Sequence, residues 1–212
     1  MNRKIIIIGA SGHGKVIADI VTKSNDAIVG FLDDNKNTDE SFMGYPILGS
    51  CDKYKKYKDA CEFIIAIGNQ YVRERIVKNL KGVKWYTAIH PQSVVSPSEV
   101  EIGKGTVVMA NSVINASSKI GEHSIINTSS VVEHDNVIGN YAHISVGAKL
   151  GGNVKVNDRT WIGIGATIKN GVSICSDCMI GAGTVVVKNI DTKGTYIGNP
   201  ARILEKHKEN KA

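Results

Sequence analysis

The sequence predicts a small α/β domain with a Rossmann-like parallel sheet, followed by a parallel β-solenoid. Before residue 85, apolar strands alternate with glycine turns and helical patterns, which is typical of parallel sheets with helices on their faces. From about residue 100 to 189 a six-residue repeat runs without a gap. The chain has 22 glycines and only 6% aromatic residues, which suits a core of stacked aliphatics with tight corners. We therefore expect domains over 1–85 and 86–195, and a tail over 196–212.

The α/β domain is predicted from three apolar strands, over 4–8, 27–32 and 62–67. Apolar residues with helical spacing follow the first strand over 16–21, and a second helical pattern covers 71–80. Each strand ends in a glycine-containing or acidic turn. Ligands of parallel sheets bind at the carboxyl ends of the strands, where these turns would converge. The turn residues are Ser11, Gly12, His13, Gly14, Asp33, Asp34, Gly68 and Asn69.

The first turn reads G-x-x-G-x-G, and this spacing disfavours an NAD-type site. Its glycines would still let the backbone approach a phosphate at a helix N-terminus. Two readings stay open for the acidic pair: Asp33 and Asp34 either accept hydrogen bonds from a base or ribose, or form only a polar turn. His13 either contacts a diphosphate or simply occupies a helix start.

The solenoid is predicted from blocks such as VEIGKG, SVVEHD, AHISVG and TWIGIG, which have an aliphatic residue in the third place. A helix would need spacings of three and four and an isolated strand would need alternation, so a period of six fits neither. It fits a stack of short strands that becomes stable only when many repeats occur together. The segment 86–98 has the same phase, with His90 and Ser96 in the aliphatic place, and is expected to form an imperfect cap. The third-place residues are Ile102, Val108, Ile114, Ile120, Ile126, Val132, Ile138, Ile144, Leu150, Val156, Ile162, Ile168, Ile174, Ile180 and Val186.

Composition disfavours several other classes of protein. The formal net charge is +6, with basic segments at 53–58 and in the tail at Lys206, Lys208 and Lys211, but no nucleic-acid-binding motif accompanies them. Solvated surfaces are the favoured explanation of these segments, and a general attraction for phosphorylated small molecules is the alternative. Cys175 and Cys178 form C-x-x-C without a second ligand pair, so no metal is expected. No apolar run approaches the ~18 residues of a membrane span and no signal-peptide pattern is present, so the cytoplasm is the expected location.

His134 is the residue most suited to chemistry. The repeat resembles that of proteins whose coils contain three blocks each, and this resemblance implies that Gly152 lies one coil above His134 and Ala116 one coil below. A histidine between two small residues has open space beside its ring. A substrate would fit there, with the Gly152 N–H as a nearby donor.

The repeat resembles that of the hexapeptide-repeat acyltransferases, whose fold is a left-handed parallel β-helix. The combination of GASGHG, LDD, AIGN, NTSSVVEHD, HISVGAK and GNPA resembles the PglD- and NeuD-like nucleotide-sugar N-acetyltransferases. These include the bacillosamine enzymes and relatives that acetylate perosamine, viosamine and sialic acid. The resemblance covers nearly the whole chain and is most specific over 127–149.

The resemblance implies a role for each matching residue. His134 would be the general base, Asp135 would raise its basicity, and the Gly152 amide would face the developing oxyanion. The bacillosamine enzymes have Glu where this chain has Asp135, which leaves the orientation of His134 open. Acetyl-CoA would contact His143, Ile164, Gly181, Ala182 and Gly183. The nucleotide sugar would contact the turn residues named above and Asn127.

The implied activity is acetyl-CoA-dependent N-acetylation of the 4-amino group of a nucleotide-linked 4-amino-4,6-dideoxy sugar, with UDP as the expected nucleotide. No metal is required. A homotrimer with its active site between subunits is implied as well. Two alternatives stay open: O-acetylation of a sugar or of sialic acid, and a hexapeptide-repeat scaffold or binding protein without activity.

Overall fold

The α/β domain contains one six-stranded sheet. The structure, a computed structural model, describes residues 2–204, so the three tail lysines lie outside the described residues. Strand order in the sheet is β3-β4-β2-β1-β5-β6, with every pair parallel except β3 and β4. The elements are β1 (Lys4–Ile8), α1 (Gly12–Lys23), β2 (Ala27–Leu32), β3 (Ser41–Phe42), β4 (Tyr45–Gly49), a 3-10 helix (Cys51–Lys56), β5 (Glu62–Ile65), α2 (Gln70–Asn79) and β6 (Lys84–Trp85).

The central strand of this sheet, β1, is buried. Residues 5–8 of β1 are fully buried because β1 lies between β2 and β5 and is covered on both faces. Helix α1 crosses closely over the end of β1: a Cβ atom on Gly14 would lie 2.5 Å from the Gly9 carbonyl oxygen. A glycine is therefore required at position 14. The hairpin of β3 and β4 was not predicted from the sequence.

The solenoid is a three-sided left-handed β-helix, as predicted. The first face contains β7, β10, β13, β16, β19 and β22; the second contains β8, β11, β14, β17, β20 and β23; the third contains β9, β12, β15, β18 and β21. The strands are β7 (Ala88–Ile89), β8 (Val94–Val95), β9 (Glu101–Ile102), β10 (Val107–Val108), β11 (Val113–Ile114), β12 (Lys119–Ile120), β13 (Ile125–Ile126), β14 (Val131–Val132), β15 (Val137–Ile138), β16 (His143–Ile144), β17 (Lys149–Leu150), β18 (Lys155–Val156), β19 (Trp161–Ile162), β20 (Thr167–Ile168), β21 (Ser173–Ile174), β22 (Met179–Ile180) and β23 (Val185–Val186).

The repeat residues form the core of the prism. From β9 to β23 the second residue of each strand is the third-place aliphatic, and from Val108 to Val186 all of these are buried together in one cluster. Small residues two places earlier, such as Ser112, Ser124 and Ala166, are fully buried at the corners. The first residue of each solenoid strand points outward from the prism.

The α/β domain covers the first face of the prism. The outward residues Ala88, Val107 and Ile125 belong to the same buried cluster as Ile17 of α1. His90 is 4% exposed, and its Nε2 lies 3.4 Å from the Lys23 ammonium. The outward side of the first three coils therefore forms an interdomain interface, which the repeat alone did not predict.

The first coil is one residue out of the predicted phase. The strand pairing places Ile89 opposite Val108 and Val95 opposite Ile114. His90 and Ser96 therefore do not occupy the aliphatic place.

At the C-terminal end, β24 (Thr195–Ile197) extends the first face and β25 (Arg202–Ile203) pairs with it antiparallel. The segment expected to be a tail from 196 thus contributes two strands within the described residues. Among residues 2–204, no helix has the length and apolar character needed to cross a membrane.

Candidate functional site

His134 lies on the edge between the second and third faces, in the turn that joins β14 to β15. Its side chain is 61% exposed. Nδ1 of the ring lies 2.7 Å from Oδ2 of Asp135. Asp135 has a left-handed backbone conformation, with a φ of 61°. Its carboxylate lies against the ring of His134. Because a carboxylate only accepts, Nδ1 carries the proton and Nε2 is left as the free acceptor.

This hydrogen bond sets the basicity of the ring. The hydrogen bond to Asp135 raises the pKa of His134 above its ordinary value, and the charges of Asp135 and Glu133 act in the same direction. Asp135 therefore fulfils the orienting contact despite being one methylene shorter than Glu. The result is an exposed imidazole with an accepting nitrogen and an enhanced affinity for a proton.

Gly152 lies directly beside this ring. A Cβ atom at position 152 would lie 2.6 Å from both Cε1 and Nε2 of His134. The Gly152 carbonyl accepts from Gly171, whereas no carbonyl or side chain among residues 2–204 accepts from the Gly152 N–H. The free amide and the free ring nitrogen thus lie at the same corner of the prism.

His143 occupies a different environment, on the outward side of β16 in the first face. It is 7% exposed and packs on Trp161 at 4.6 Å between ring centroids. Asn127 Oδ1 accepts from the Thr128 N–H, so Asn127 Nδ2 is the atom that lies 3.0 Å from Nε2 of His143. An amide nitrogen donates, so Nε2 accepts and Nδ1 carries the hydrogen.

Four histidine nitrogens are buried without a hydrogen bond to any described residue. They are Nδ1 of His143, Nε2 of His13 and both ring nitrogens of His123. Burial, followed by the charge of Arg73, lowers the pKa of His13 to about 4. The same two causes, with a smaller effect of His13, lower the pKa of His143 to about 3. Both rings are therefore neutral near pH 7, and His13 lies close enough to His143 to act on it electrostatically.

A cleft of about 950 Å³ opens at the carboxyl ends of the central strands of the α/β sheet. Oδ2 of Asp33 accepts a hydrogen bond from the Ala10 N–H at 2.7 Å, and Oδ1 accepts one from the Asn35 N–H at 2.9 Å. Asp34 accepts from the Cys51 N–H at 2.7 Å. Both carboxylates line the cleft and also tie its loops together. The predicted convergence of the turns is visible here.

The other turn residues differ in their positions and contacts. Ser11 and Gly9 line the cleft, and Ser11 precedes α1 as its N-cap without a side-chain hydrogen bond. Asn69 caps α2 by accepting from the N–H groups of Tyr71 and Val72, so its side chain has a structural role. Gly12 and Gly68 have open space where a Cβ would be. His13 is turned toward the solenoid and does not line the cleft.

The cleft also contains cations that the sequence did not single out for this role. Lys53, Lys55 and Lys56, on the 3-10 helix, and Arg75, on α2, line it. The run of lysines at 53–58 was visible in the sequence. Surface lysines are common, however, so only the fold shows that three of these lysines line the cleft.

The residues expected to bind acetyl-CoA follow the edge between the first and second faces. Ile164 is 62% exposed there, and its carbonyl accepts from the Gly183 N–H one coil further on. Ala182 and Gly183 are exposed and Gly181 is half-buried. This edge and the edge that carries His134 border opposite sides of the second face. Within one chain the structure therefore forms two separate sets of residues. One set is His134, Asp135 and Gly152, and the other is Asn127, His143 and His13.

No group of three or more His, Cys, Asp or Glu residues within 2–204 is arranged to hold a metal ion. Cys175 and Cys178 are free thiols whose sulfurs lie 3.4 Å apart. His123, the remaining solenoid histidine inside a repeat, is 1% exposed and packs on Trp85 and Tyr141.

The chain is similar to several known proteins. Residues 4–80 match the family described as PglD N-terminal domain. The acetyltransferase domain of PglB from Neisseria gonorrhoeae FA1090 is 36% identical, with a TM-score of 0.91 and coverage of 96% of this chain and 100% of that one. That domain has also been solved with acetyl coenzyme A. A perosamine N-acetyltransferase from Caulobacter crescentus, solved as a mutant with CoA and GDP-perosamine, is 32% identical, with a TM-score of 0.91 and coverage of 96% and 97%.

A UDP-N-acetylbacillosamine N-acetyltransferase from Bacillus subtilis (strain 168) is 37% identical over 115 residues, which are 51% of this chain and 52% of that protein. The chain spans about half or less of the length of the curated relatives that it matches. The solved PglB domain, by contrast, is covered in full. The chain therefore belongs to the hexapeptide-repeat acetyltransferases that join a PglD-type N-terminal domain to a left-handed parallel β-helix.

Proposed function

We propose that this protein is an acetyl-CoA-dependent N-acetyltransferase that acts on the 4-amino group of a nucleotide-linked 4-amino-4,6-dideoxy sugar. The observation that carries the proposal is the corner at His134. There, an exposed ring with its Nδ1 on Asp135 presents an accepting Nε2 beside the free N–H of Gly152. A general base and an oxyanion donor are the two groups that acyl transfer to an amine needs.

The proposed reaction uses these groups in turn. The sugar amine attacks the thioester carbonyl, and Nε2 of His134 takes the proton that the nitrogen loses. Asp135 stabilises the resulting imidazolium. The Gly152 N–H donates to the oxyanion of the tetrahedral intermediate. When the C–S bond breaks, the imidazolium returns its proton to the sulfur of CoA.

The second face explains how one site can use both sets of residues. If three prisms assemble around a threefold axis with their second faces inward, the His134 edge of one subunit meets the Ile164 edge of the next. The outward residues Val94, Val113 and Val131 form an apolar row on this face that suits such an assembly. The proposal is thus a homotrimer with three sites, each between two subunits.

The acceptor would bind in two places at once. The nucleotide would lie in the cleft at the carboxyl ends of the sheet, where four basic residues can meet its phosphates. The sugar would extend toward Asn127 and His143, whose Nδ1–H is a donor without a partner among the described residues. Because His143 is hydrogen-bonded to Asn127, the proposal assigns it to the acceptor and not to acetyl-CoA, which was its expected ligand. UDP is the nucleotide expected from the sequence, whereas the perosamine enzyme was solved with GDP-perosamine. The cytoplasmic location expected from the sequence stays a prediction.

The test is a thiol-release assay with acetyl-CoA and 4-amino-4,6-dideoxy sugars linked to UDP, GDP or dTDP. We expect one nucleotide series to be acetylated on nitrogen, with product formation verified by mass spectrometry. The matched 4-hydroxy sugars are the control for O-acetylation. Faster transfer to the hydroxyl sugars, or to a sugar without a nucleotide, would contradict the proposal.

A further inference from the structure

Arg73, in the first turns of α2, is a buried cation without a carboxylate partner. It is 1% exposed and is the largest fully buried side chain in the described part of the chain. No Asp or Glu within residues 2–204 forms an ion pair with it. Burial lowers the pKa of Arg73 to about 10, so the group is charged near pH 7. A buried charge of this kind is costly unless every donor is satisfied.

Main-chain carbonyls satisfy all of its donors. Nη1 donates to Ile67 at 3.1 Å and to Gly68 at 2.6 Å. Nε donates to His123 at 3.0 Å, and Nη2 donates to Tyr141 at 2.6 Å. Nη2 also donates to Ala142, at 3.3 Å. The five N–H groups of the guanidinium thus meet five carbonyl oxygens.

These carbonyls belong to the two halves of the candidate site. Ile67 and Gly68 follow β5 and form a loop whose first residue lines the nucleotide cleft. Tyr141 and Ala142 immediately precede His143, and His123 lies one coil below Tyr141. One planar side chain therefore joins the cleft wall to two coils of the prism and to the segment that carries His143.

We propose that Arg73 is a positioning residue that fixes the nucleotide loop relative to His143, so that a bound nucleotide places its sugar against the acceptor side of the site. The proposal rests on the proposed function. Its structural part, that Arg73 fixes the nucleotide loop relative to His143, can be tested without enzymatic activity. The planar fork suits this task because its five donors have fixed directions, whereas an ammonium offers three donors from one point. The Arg73→Lys variant therefore keeps the charge and loses the geometry.

The first arm of the test uses the wild-type protein and hydrogen exchange. UDP, GDP and dTDP are compared by thermal shift, and the one that stabilises most is used as the probe. We expect this nucleotide to slow amide exchange at least threefold in peptides covering both 67–70 and 139–145. Protection confined to 67–70 would overturn the proposal, and this arm stands even if the variant fails to fold.

The second arm compares Arg73→Lys with Arg159→Lys, a matched control. Arg159 pairs with Asp177 within the solenoid and also reaches the other domain, through a contact of 3.9 Å with Glu74 of α2, but its side chain is 25% exposed. In R73K we expect protection at 67–70 without protection at 139–145, and a kcat at least tenfold lower. Nucleoside diphosphate binding and the KM for acetyl-CoA should stay within threefold of wild type. R159K should behave as wild type in every readout.

A normal kcat in R73K, or a rise in KM for the nucleotide sugar alone, would overturn the positioning role. If the wild-type protein transfers no acetyl group to any amino sugar, the proposed function fails. The exchange experiment still decides the role of Arg73 in that case.

Discussion

The ring of His134 occupies the space that a side chain at Gly152 would fill: a Cβ there would lie 2.6 Å from Nε2. The corner is therefore built so that the proton-accepting nitrogen and the main-chain N–H share one small volume. Gly152 has no positive φ, so its lack of a side chain is required by space and not by backbone conformation.

Gly152→Ala is expected to displace the ring without harming the fold. Because the His134 side chain is 61% exposed, it can rotate away from the new methyl group. We expect kcat to fall about 100-fold, as is usual when a reacting group is misplaced by about 1 Å. The free energy of unfolding should change by less than about 0.5 kcal/mol. A kcat within threefold of wild type would contradict the proposed use of this corner.

His134→Ala removes the general base itself. We expect a loss of at least ~100-fold in kcat, the lower end of the range for general-base catalysis. Sedimentation velocity should show the same assembly as wild type, since the exposed ring contributes little to packing. Lys155→Ala, on the outward side of the third face, is a surface control that should keep full activity. Retained turnover in His134→Ala would exclude this residue as the base.

The pH dependence of kcat/KM should report on the hydrogen bond between His134 and Asp135. The base must be neutral, so activity falls as the pH drops through the pKa of His134, which the hydrogen bond to Asp135 raises. In Asp135→Asn the cause of the raised pKa is gone, so the acid limb should move to lower pH while the plateau rate falls. An acid limb that does not move would mean that another group titrates.

Four histidines whose pKa is lowered by burial, His13, His90, His123 and His143, predict sensitivity to acid. Burial is the main cause that lowers the pKa of His13 and His123 to about 4 and that of His143 to about 3. The unfolded chain binds protons at these residues more readily than the folded chain. Their contribution to stability is therefore complete above the ordinary histidine pKa and is lost as the pH falls from about 6.5 toward 4.

Urea unfolding at intervals between pH 7.5 and 5 measures this effect. Each histidine adds at most ~1.4 kcal/mol per pH unit to the slope. His123→Phe keeps an aromatic ring between Trp85 and Tyr141 but cannot titrate, so the slope should fall by up to ~1.4 kcal/mol per pH unit. A free energy of unfolding that does not change over this range would contradict the neutral state of these rings.

The second face should form the contact between subunits. Val131→Glu places a charge in the apolar row of that face, so we expect the trimer to dissociate and activity to be lost with it. Lys155→Glu, on the third face, makes the same kind of change outside the proposed contact. Sedimentation velocity distinguishes them. A Val131→Glu variant that stays trimeric would place the interface elsewhere.

Much of the fold follows from local pattern. The third-place aliphatics all point inward because the strands and turns repeat every six residues, and this periodicity is readable without a structure. The strand 27–32 was predicted from its apolar run. The corner of His134 with Gly152 was predicted because a coil of three blocks fixes which residues stack.

The interdomain features could not be predicted in this way. Nothing in the sequence distinguishes the buried Arg73 from the cleft-lining Arg75, because which side of α2 meets the prism depends on how the domains dock. The same docking buries His13 near His143. The capping role of Asn69 was equally hidden, because a polar residue after a strand suits a ligand site and a helix start alike.

The account places His134 of one subunit and His143 of the next in one site. Mixed trimers test this arrangement most directly. His134→Ala and His143→Ala chains, each with very low activity alone, would be co-expressed and purified as mixed assemblies. Random assembly leaves about a quarter of the interfaces with both histidines intact, so activity should recover to about a quarter of wild type. A mixture no more active than its two parents would contradict the shared site.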